Sequence, residues 1–275
     1  MASVNTNAGA MVALQNLNKT NSQLQTVQNR INTGLAVSSA KDNGGIYAIA
    51  QNMRAEVGGL RAVTNSLDLA VSTVDVALAA GDAISDLLIE MKEKALAASD
   101  VSLDSASRTA LDEDFKAMRD QISTIVENAE FNGTNLIDGS SSGGISALAN
   151  AKGTNTISVA DEDMSLSGTI LGLSSGTDIA TQTDAAAAVT AIDSALTNLN
   201  SALSRLGTGS KSLEIHKTFV SKLSDSLEKG IGNLVDADLA KESARLQSLQ
   251  VKQQLGIQAL SIANSAPSTV LGFFR

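Results

Sequence analysis

Few residues of this chain carry side chains that could do chemistry, and they form no catalytic set. His216 is the only histidine among the 275 residues, and cysteine is absent. A serine-histidine-aspartate arrangement or a histidine metal site would depend on this one residue. Because His216 falls between Leu213 and Val220 of a helical pattern, we expect a solvated or interhelical histidine. We predict no enzyme activity, no cofactor and no metal site.

Two short motifs could hold a ligand, and neither has the required spacing. The run "GTGSK" at residues 207–211 faintly resembles a phosphate loop, but it lacks the GxxxxGK[ST] spacing and a preceding strand. The run "DEDMS" at residues 161–165 could offer oxygen atoms to a calcium ion, but it lacks the ligand spacing of a calcium loop. We expect a helix irregularity at the first and a solvated turn at the second.

The composition favours long helices over a core built on aromatic residues. Hydrophobic residues make up 43% of the chain and aromatic residues 2%, and Pro267 is the only proline. The net charge of -9 argues against nucleic acid binding, and no basic helix suits a membrane surface. No apolar stretch approaches the ~18 residues of a membrane span, so we predict no membrane insertion. The first residues lack a signal peptide pattern, which predicts export, if any, by another route.

Apolar residues recur at helical spacing over most of the chain. The patterns predict helices at about residues 7–33 and 46–99, a third after the break at residues 98–105 that reaches Ala129, and two more at about 184–229 and 236–264, with Gly230 and Gly232 ending the fourth. The fourth has the clearest heptads, which predict an intramolecular coiled-coil seam. Its members are Ile192, Leu199, Leu206, Leu213, Val220 and Leu227.

The middle of the chain differs from both ends. Residues 136–184 are rich in glycine, serine and threonine with short alternating runs, which predicts small β-hairpins and loops. The fold class is therefore mainly α, a long antiparallel coiled coil and helical bundle formed by both chain ends, with a small β-hairpin-rich central region. We expect residues 1–33 with 237–275 to form a terminal coiled coil, joined through 34–45 and 230–236 to a bundle of 46–139 with 184–229. Residues 140–183 then form a surface-exposed region.

The two end helices have thin apolar stripes flanked by asparagine and glutamine, as in "NLNKTNSQLQTVQNR" and "RLQSLQVKQQLGIQ". A pair of such helices buries little apolar area and is marginal in water. We interpret them as helices that pack against more than one neighbour. A polar but purely intramolecular coiled coil remains the alternative.

Several motifs, in order, resemble those of bacterial flagellin. They are "VNTN" near the start, "TGLAVSSAKDNGG" after the first helix, "EFNGTNLIDG" after the third, and "QQLGIQALSIANSAPSTVLGFFR" at the C-terminal end. The resemblance covers residues 1–139 and 184–275. It implies a structural subunit that polymerises into the helical flagellar filament used for swimming. It also implies export in an unfolded state through the flagellar type III apparatus, with which the absence of cysteine agrees.

The resemblance further implies partners and sites. The partners are other copies of the chain, alone or mixed with other flagellins, an export chaperone, the filament cap and the hook-filament junction proteins. The expected location is the extracellular filament. Residues that the resemblance places in inter-subunit packing are Leu14, Leu17, Leu24, Ile31, Leu246, Leu249, Leu255, Leu260, Val270, Leu271, Phe273 and Phe274. In the central region, exposed candidates for O-glycosylation are Ser140, Ser141 and Ser142.

Two other functions remain open at this stage. The hook-filament junction protein of the same assembly shares end helices with flagellin, although the C-terminal motif favours flagellin. A non-flagellar coiled-coil scaffold would explain the heptads but not the paired end motifs. An enzyme of the family with a protease insertion is disfavoured, because the zinc-binding HExxH motif is absent.

Deleting residues 267–275 is expected to leave a folded central bundle that does not polymerise. The reason is that assembly draws on the ordering and apolar burial of the chain ends. Electron microscopy of the concentrated protein measures the outcome, and normal filaments from the truncated chain would refute the prediction.

The resemblance to flagellin also bears on recognition by the vertebrate innate receptor. Flagellins that the receptor detects share two residues of the second long helix, and this chain has different residues at both positions. The resemblance places an arginine and a leucine where Glu90 and Lys94 stand, aligned on "MKEKALAAS". A reversed charge and a lost apolar contact weaken such binding. We expect poor receptor activation in a reporter-cell assay, and full potency would contradict this expectation.

Overall fold

The computed structural model describes residues 6–141 and 143–272, and it describes side chains up to residue 265. Five helices lie in these ranges: α1 Ala8–Thr33, α2 Gly44–Ala98, α3 Ser105–Asn128, α4 Gln182–Val235 and α5 Leu239–Gly272. Four short strands form two antiparallel hairpins: β1 Glu130–Phe131 with β2 Thr134–Asn135, and β3 Ile145–Leu148 with β4 Thr156–Val159. The predicted fold class, helical with a small hairpin-rich centre, is confirmed.

The chain divides into two compact units. The first comprises the described parts of Met1–Ala55 and Ser226–Arg275, and the second comprises Glu56–Asp225. The first unit therefore contains α1, α5 and the adjoining ends of α2 and α4. The second contains most of α2 and α4 together with α3 and both hairpins.

In the first unit, the segments that follow α1 and α4 pair with each other. Gly34 ends α1 in the left-handed conformation, at a φ of 72°, and its carbonyl accepts a hydrogen bond from the N–H of Ala237 at 2.9 Å. The N–H groups of Ala36 and Val37 both donate to the carbonyl of Val235, at 2.7 and 3.2 Å. Val37, Val235 and Ala50 form a small buried cluster beside this pairing. The pairing sets α1 and α5 side by side.

The predicted end of the fourth helix is wrong. α4 continues through Gly230 and Gly232 and ends at Val235, so the connecting segment expected at 230–236 is helical except for its last residue. Glycine lowers helix stability by about 1 kcal/mol relative to alanine. Here that cost is offset by packing, because Ile231 and Leu234 pack against the buried cluster of Val37, Ala50 and Val235. Tertiary contacts decide where this helix ends.

The second unit is built on antiparallel packing of α2 against α4. Ion pairs join Lys92 to Asp193 at 2.5 Å and Asp68 to Lys217. Between these pairs, a Cβ atom added to Gly81 would lie 2.5 Å from Cδ2 of Leu203, so glycine at this position leaves room for the Leu203 side chain as it is placed. Gly81 thus interrupts the apolar series of α2 at a position where the Leu203 side chain of α4 packs against it. The core of this unit includes Leu67, Ile84, Leu88, Met91, Phe115 and Ile122.

The central region packs on the helices more closely than a solvated loop would. In the "DEDMS" run, Glu162 is 7% exposed and Met164 is fully buried, so the expected solvated turn is wrong. Arg205 of α4 binds Glu162 through two parallel hydrogen bonds of 2.5 Å, which compensates the buried carboxylate. The apolar side chains of Leu166, Ile170, Leu171, Leu173 and Ile179 are also buried.

Two further hydrogen bonds hold the β3–β4 hairpin on the bundle. The hydroxyl of Ser66 in α2 accepts from the N–H of Leu148 at 3.1 Å, and Nε2 of His216 lies 2.7 Å from the carbonyl oxygen of Ala149. His216 also contacts the ring of Phe219, with 5.8 Å between ring centroids. The single histidine therefore has a structural contact with the hairpin.

Asp112 on α3 joins the central region to the bundle. Its side chain is 6% exposed, one carboxylate oxygen accepts from the N–H of Ile179 at 2.8 Å, and the other is 2.6 Å from Nζ of Lys116. Burial opposes the charged form, but the hydrogen bonds from Lys116 and Ile179 outweigh it and hold the pKa of Asp112 below its ordinary value. The carboxylate thus stabilises the fold when it is ionised.

Substitution Asp112→Asn is expected to lower the free energy of unfolding at neutral pH by about 1.5–3 kcal/mol, because two hydrogen bonds to a charged group are weakened. A depressed pKa contributes stability above the unfolded value near 4, and this contribution is lost as the pH falls through the folded value. The difference in the free energy of unfolding between the parent and the variant should therefore disappear below about pH 4. Chemical unfolding followed by circular dichroism at neutral and acid pH measures this. A difference that is independent of pH would contradict the role of the charge.

Candidate functional site

The paired end helices α1 and α5 form an antiparallel coiled coil with very little apolar core. Among the described side chains of this pair, Val27 at 1% exposure and Leu249 at 3% are the only buried apolar ones. The remaining predicted packing residues near the seam, Leu17, Leu24, Ile31, Leu246 and Leu260, are only half-buried. The predicted pairing of the chain ends is confirmed. So little apolar burial stabilises the pair weakly by itself.

Large apolar side chains instead face outward from both helices. On α1, Met11 is 66% exposed and Leu14 is 48% exposed; on α5, Leu255 is 57% exposed and Ile262 is 70% exposed. We call this set, completed by other exposed apolar residues of the same two helices, the outer apolar face. Its remaining members are Val12, Leu239, Val251 and Ile257. Of the eight residues of the outer apolar face, only Leu14 and Leu255 are among those expected from the sequence to pack between subunits.

The other packing residues expected from the sequence at the chain ends are either buried within the chain or outside the described side chains. Leu249, grouped by sequence with inter-subunit contacts, is instead buried within the chain and is not available to a neighbour. Val270 and Leu271 lie in the helical backbone of α5, but their side chains are outside the described residues. Phe273 and Phe274 lie outside the described residues altogether.

Polar contacts cross the α1–α5 seam at three levels. The side-chain amide of Asn7 donates to the carbonyl of Ala263 at 2.6 Å, and Nε2 of Gln253 donates to the amide oxygen of Asn21 at 2.8 Å. Near the other end, Arg30 is 3.0 Å from Glu242. Polar pairs at seam positions fix the register of a coiled coil, since a shifted register leaves them without partners. These contacts supply the specificity that the thin apolar stripe lacks.

The Asn7 side chain supplies a hydrogen-bond donor to a carbonyl that Pro267 leaves without its helical donor. Proline has no N–H, so the carbonyl four residues earlier, that of Ala263, lacks its helical donor. Asn7 donates to this carbonyl, while its amide oxygen accepts from the N–H of Ala10 and caps α1. α5 therefore continues past the predicted end near residue 264 and through Pro267, to Gly272. The Asn7 side chain therefore caps α1 and also supplies a donor to α5.

The ion pair between Arg30 and Glu242 is incompletely satisfied. Glu242 has a side chain 10% exposed, and neither its Oε2 atom nor Nε of Arg30 has a partner within the described part of the chain. Removing charged groups from water at such a site opposes much of their attraction. The pair is therefore better explained as a device that fixes register than as a source of stability.

The seam predicted for the fourth helix lies in the interior of the chain. Ile192, Leu199, Leu206, Leu213 and Val220 are each at most 1% exposed, and Leu227 is half-buried. Five of these six apolar side chains are thus buried, whereas most of the apolar side chains described for the end helices are accessible to solvent. Unit 2 has an apolar core of its own, and the terminal coiled coil does not.

The remaining sequence-derived positions, where the structure describes them, lie at the surface of the second unit. Glu90 is exposed, and Lys94 is bound to Asp114 of α3 at 2.9 Å, a hydrogen bond that raises the pKa of the Lys94 ammonium. Ser140 is exposed and Ser141 half-buried, whereas Ser142 lies outside the described residues. Within the described ranges no cluster of histidine, aspartate or glutamate could hold a metal ion, and no helix is long and apolar enough to cross a membrane.

These features define a helical structural protein whose chain ends pair and expose apolar faces. The comparisons agree with this class. Residues 4–142 match the family model of the bacterial flagellin N-terminal helical region, and residues 189–274 match that of the C-terminal helical region. The flagellin FljK of Caulobacter vibrioides is 55% identical over 273 residues, which are 99% of this chain and 98% of the relative. A flagellin of Brucella melitensis is 36% identical over the whole of both chains.

Among solved structures, a flagellar hook-associated protein from Vibrio parahaemolyticus shares the fold with a TM-score of 0.59 and 16% identity. It covers 71% of this chain and 100% of its own. The chain belongs to the bacterial flagellin family, and as a flagellin it is a structural subunit of the flagellar filament. The resemblance seen in the sequence motifs is confirmed.

Substitution Asn7→Asp tests the contact with Ala263, because aspartate keeps the helix cap and removes the donor. An unsatisfied carbonyl costs about 1–3 kcal/mol when it is shielded from water, so filaments of the variant should dissociate at a lower temperature than those of the parent. In a Pro267→Ala background the helix supplies its own N–H, and the same substitution should then have little effect. Asn21→Asp is the control, since its effect should not depend on residue 267. If Asn7→Asp lowers the dissociation temperature of the filaments equally with Pro267 and with alanine at that position, the Asn7 side chain does not compensate for the missing N–H of Pro267.

Proposed function

We propose that the outer apolar face of α1 and α5 is the surface on which neighbouring subunits pack in the filament. The observation that supports this is the inversion of the usual burial pattern, since the side chains described for these helices include two buried apolar ones and many large exposed ones. Apolar burial contributes about 25 cal/mol for each Å² removed from water. Contacts with neighbours therefore add the stability that the isolated pair lacks.

The assignment extends to the side chains beyond the described residues. Val270, Leu271, Phe273 and Phe274 continue the apolar character of α5 toward the end of the given sequence. We assign them to the same inter-subunit packing, together with Leu14, Leu17, Leu24, Ile31, Leu246, Leu255 and Leu260. Ordering of the chain ends during assembly is then driven by this burial, which offsets the loss of conformational entropy.

We further propose that the chain is exported unfolded through the flagellar type III apparatus and assembles outside the cell beneath a filament cap. The absence of cysteine supports passage between redox compartments without cross-linking. An apolar face that finds its partners only after export needs a cover before export, which supports an export chaperone that binds the C-terminal region. Hook-filament junction proteins are the expected neighbours at the base of the filament.

A hook-filament junction function is the second candidate within the same assembly. The fold is shared with a hook-associated protein, but at 16% identity this likeness bears on the fold alone. The flagellin relatives match nearly the whole chain at 55% and 36% identity, which favours the filament. In the central region we propose that Ser140, which is exposed, is accessible to O-glycosylation, with Ser141 and Ser142 beside it.

The outer apolar face is tested by Leu255→Gln. Because this side chain is 57% exposed, the monomer should keep its unfolding midpoint, whereas the critical concentration for seeded polymerisation should rise about tenfold or more. Val101→Gln is the matched control, since Val101 is 83% exposed but lies between α2 and α3 in the other unit. Sedimentation of filaments at several monomer concentrations gives the measurement. Unchanged polymerisation of the Leu255 variant would overturn the proposal.

A further inference from the structure

Two places in the chain combine asparagine with a following glycine, Asn43-Gly44 and Asn132-Gly133. In such a pair the backbone nitrogen of the glycine attacks the side-chain carbonyl carbon of the asparagine. A new C–N bond closes a five-membered succinimide, the bond to the side-chain nitrogen breaks, and that nitrogen leaves as ammonia with the proton of the glycine N–H. Water then opens the ring to aspartate or isoaspartate. Glycine favours the attack because it has no Cβ atom to restrict the backbone.

The structure holds the first of these asparagines in a conformation that opposes the reaction. The side-chain oxygen of Asn43 accepts a hydrogen bond from the N–H of Ile46 at 3.1 Å, and its backbone carbonyl accepts from the N–H of Tyr47 at 3.0 Å. Both contacts cap the beginning of α2, whose first residue is Gly44. Closure of the succinimide requires rotation of the Asn43 side chain and backbone, which breaks these contacts. The helix cap therefore protects Asn43.

The second asparagine, Asn132, lacks such contacts. It is exposed and occupies, with Gly133, the two-residue turn between β1 and β2, at φ values of 50° and 79°. Among the residues that the structure describes, neither the Asn132 side chain nor the N–H of Gly133 has a hydrogen-bond partner. Closure of the ring requires the turn to open, but only two residue pairs hold this hairpin. Local opening of so short an element costs little free energy.

The Glu130 side chain makes a new negative charge at this turn unfavourable. Its Oε1 atom lies 3.9 Å from the position that a Cβ atom would occupy at Gly133. Deamidation replaces the neutral amide of Asn132 with a carboxylate, which is charged at neutral pH. Two carboxylates in one turn repel each other. Isoaspartate also adds one carbon atom to the main chain, which changes the loop length that sets the geometry of the hairpin.

The strand that follows Asn132 joins the central region to α3. Asn135 is buried, its side-chain nitrogen donates to the carbonyl of Val126 at 2.7 Å, and its side-chain oxygen accepts from the N–H of Ile137 at 2.9 Å. The carbonyl of Ile137 in turn accepts from the N–H of Met164 in the central region at 2.8 Å. A distorted turn displaces Asn135 and weakens this series of hydrogen bonds. A change at an exposed turn thus reaches buried contacts.

We propose that Asn132 is a site of spontaneous deamidation in the folded chain, and that isoaspartate formed there loosens the attachment of the central region to α3. The reaction consumes only water and releases ammonia. Its product carries a carboxylate beside a lengthened backbone, which is the group on which isoaspartate-specific carboxyl methyltransferases act. The reaction does not depend on polymerisation, so this inference is separate from the proposed function.

Peptide mapping by mass spectrometry of the purified chain, incubated at neutral pH, tests the site. In the folded chain the deamidated fraction at Asn132 should grow about fivefold or more faster than that at Asn43. The matched control is the chain incubated in denaturant, where the contacts of Asn43 are absent and the two pairs should react at similar rates. Equal rates at both positions in the folded chain, or a faster reaction at Asn43, would show that the proposal is wrong. The same conclusion follows if Asn132 reacts in denaturant and stays intact in the folded chain.

The structural consequence is tested on the isoaspartate form, isolated by chromatography. Its unfolding midpoint should be lower than that of the parent by about 2–4 °C, and the N–H of Met164 should exchange with solvent about fivefold faster. Asn132→Asp is the control, since it adds the charge at normal backbone length and should lie between the two. An isoaspartate form with the parental midpoint and exchange rate would overturn the loosening of the central region.

Discussion

The register of the terminal coiled coil is the constraint on which the assembly surface depends. With Val27 and Leu249 as its only buried apolar side chains among those described, the α1–α5 seam cannot select one alignment by hydrophobic packing alone. The contacts of Asn7, Asn21 and Arg30 with α5 select it instead. A shift of the helices would leave these groups unpaired and would also change which apolar residues face outward. Polar contacts inside the pair therefore determine the apolar surface outside it.

The same division of roles explains why the two units are built differently. Unit 2 buries five of the six heptad residues of α4 together with large residues of α2 and α3, and its buried charged groups Asp112 and Glu162 have close partners. Its stability is therefore intramolecular. The end helices keep their apolar groups available and use polar groups for alignment. A polymer subunit needs both, since it must fold alone and also retain accessible surface for its neighbours.

The sequence predicts most of this architecture because helical periodicity is a local property. α1 and α2 begin and end within two residues of the predicted positions, and the turn signal at Asn132-Gly133 lies in a hairpin where both residues have positive φ. The misses involve long-range contacts. Neither the continuation of α4 through Gly230 nor that of α5 through Pro267 can be read from propensity, because residues distant in sequence offset the cost. Likewise, the partner of Glu162 is 43 residues away.

Some glycine and proline residues lower the stability of the helix that contains them, and a specific group from a distant part of the chain lies beside them. Pro267 leaves the Ala263 carbonyl without a donor, and Asn7 from the other end of the chain supplies one. Gly81 has no side chain, and the Leu203 side chain occupies the space that a Cβ atom at Gly81 would need. In each case a residue that weakens its own helix is matched by a specific group elsewhere in the fold. Gly207 weakens its helix without any such group within 4 Å. Gly58 of α2 is open in the same way, so a glycine in a helix points to a distant partner only where a group of the chain is packed against it.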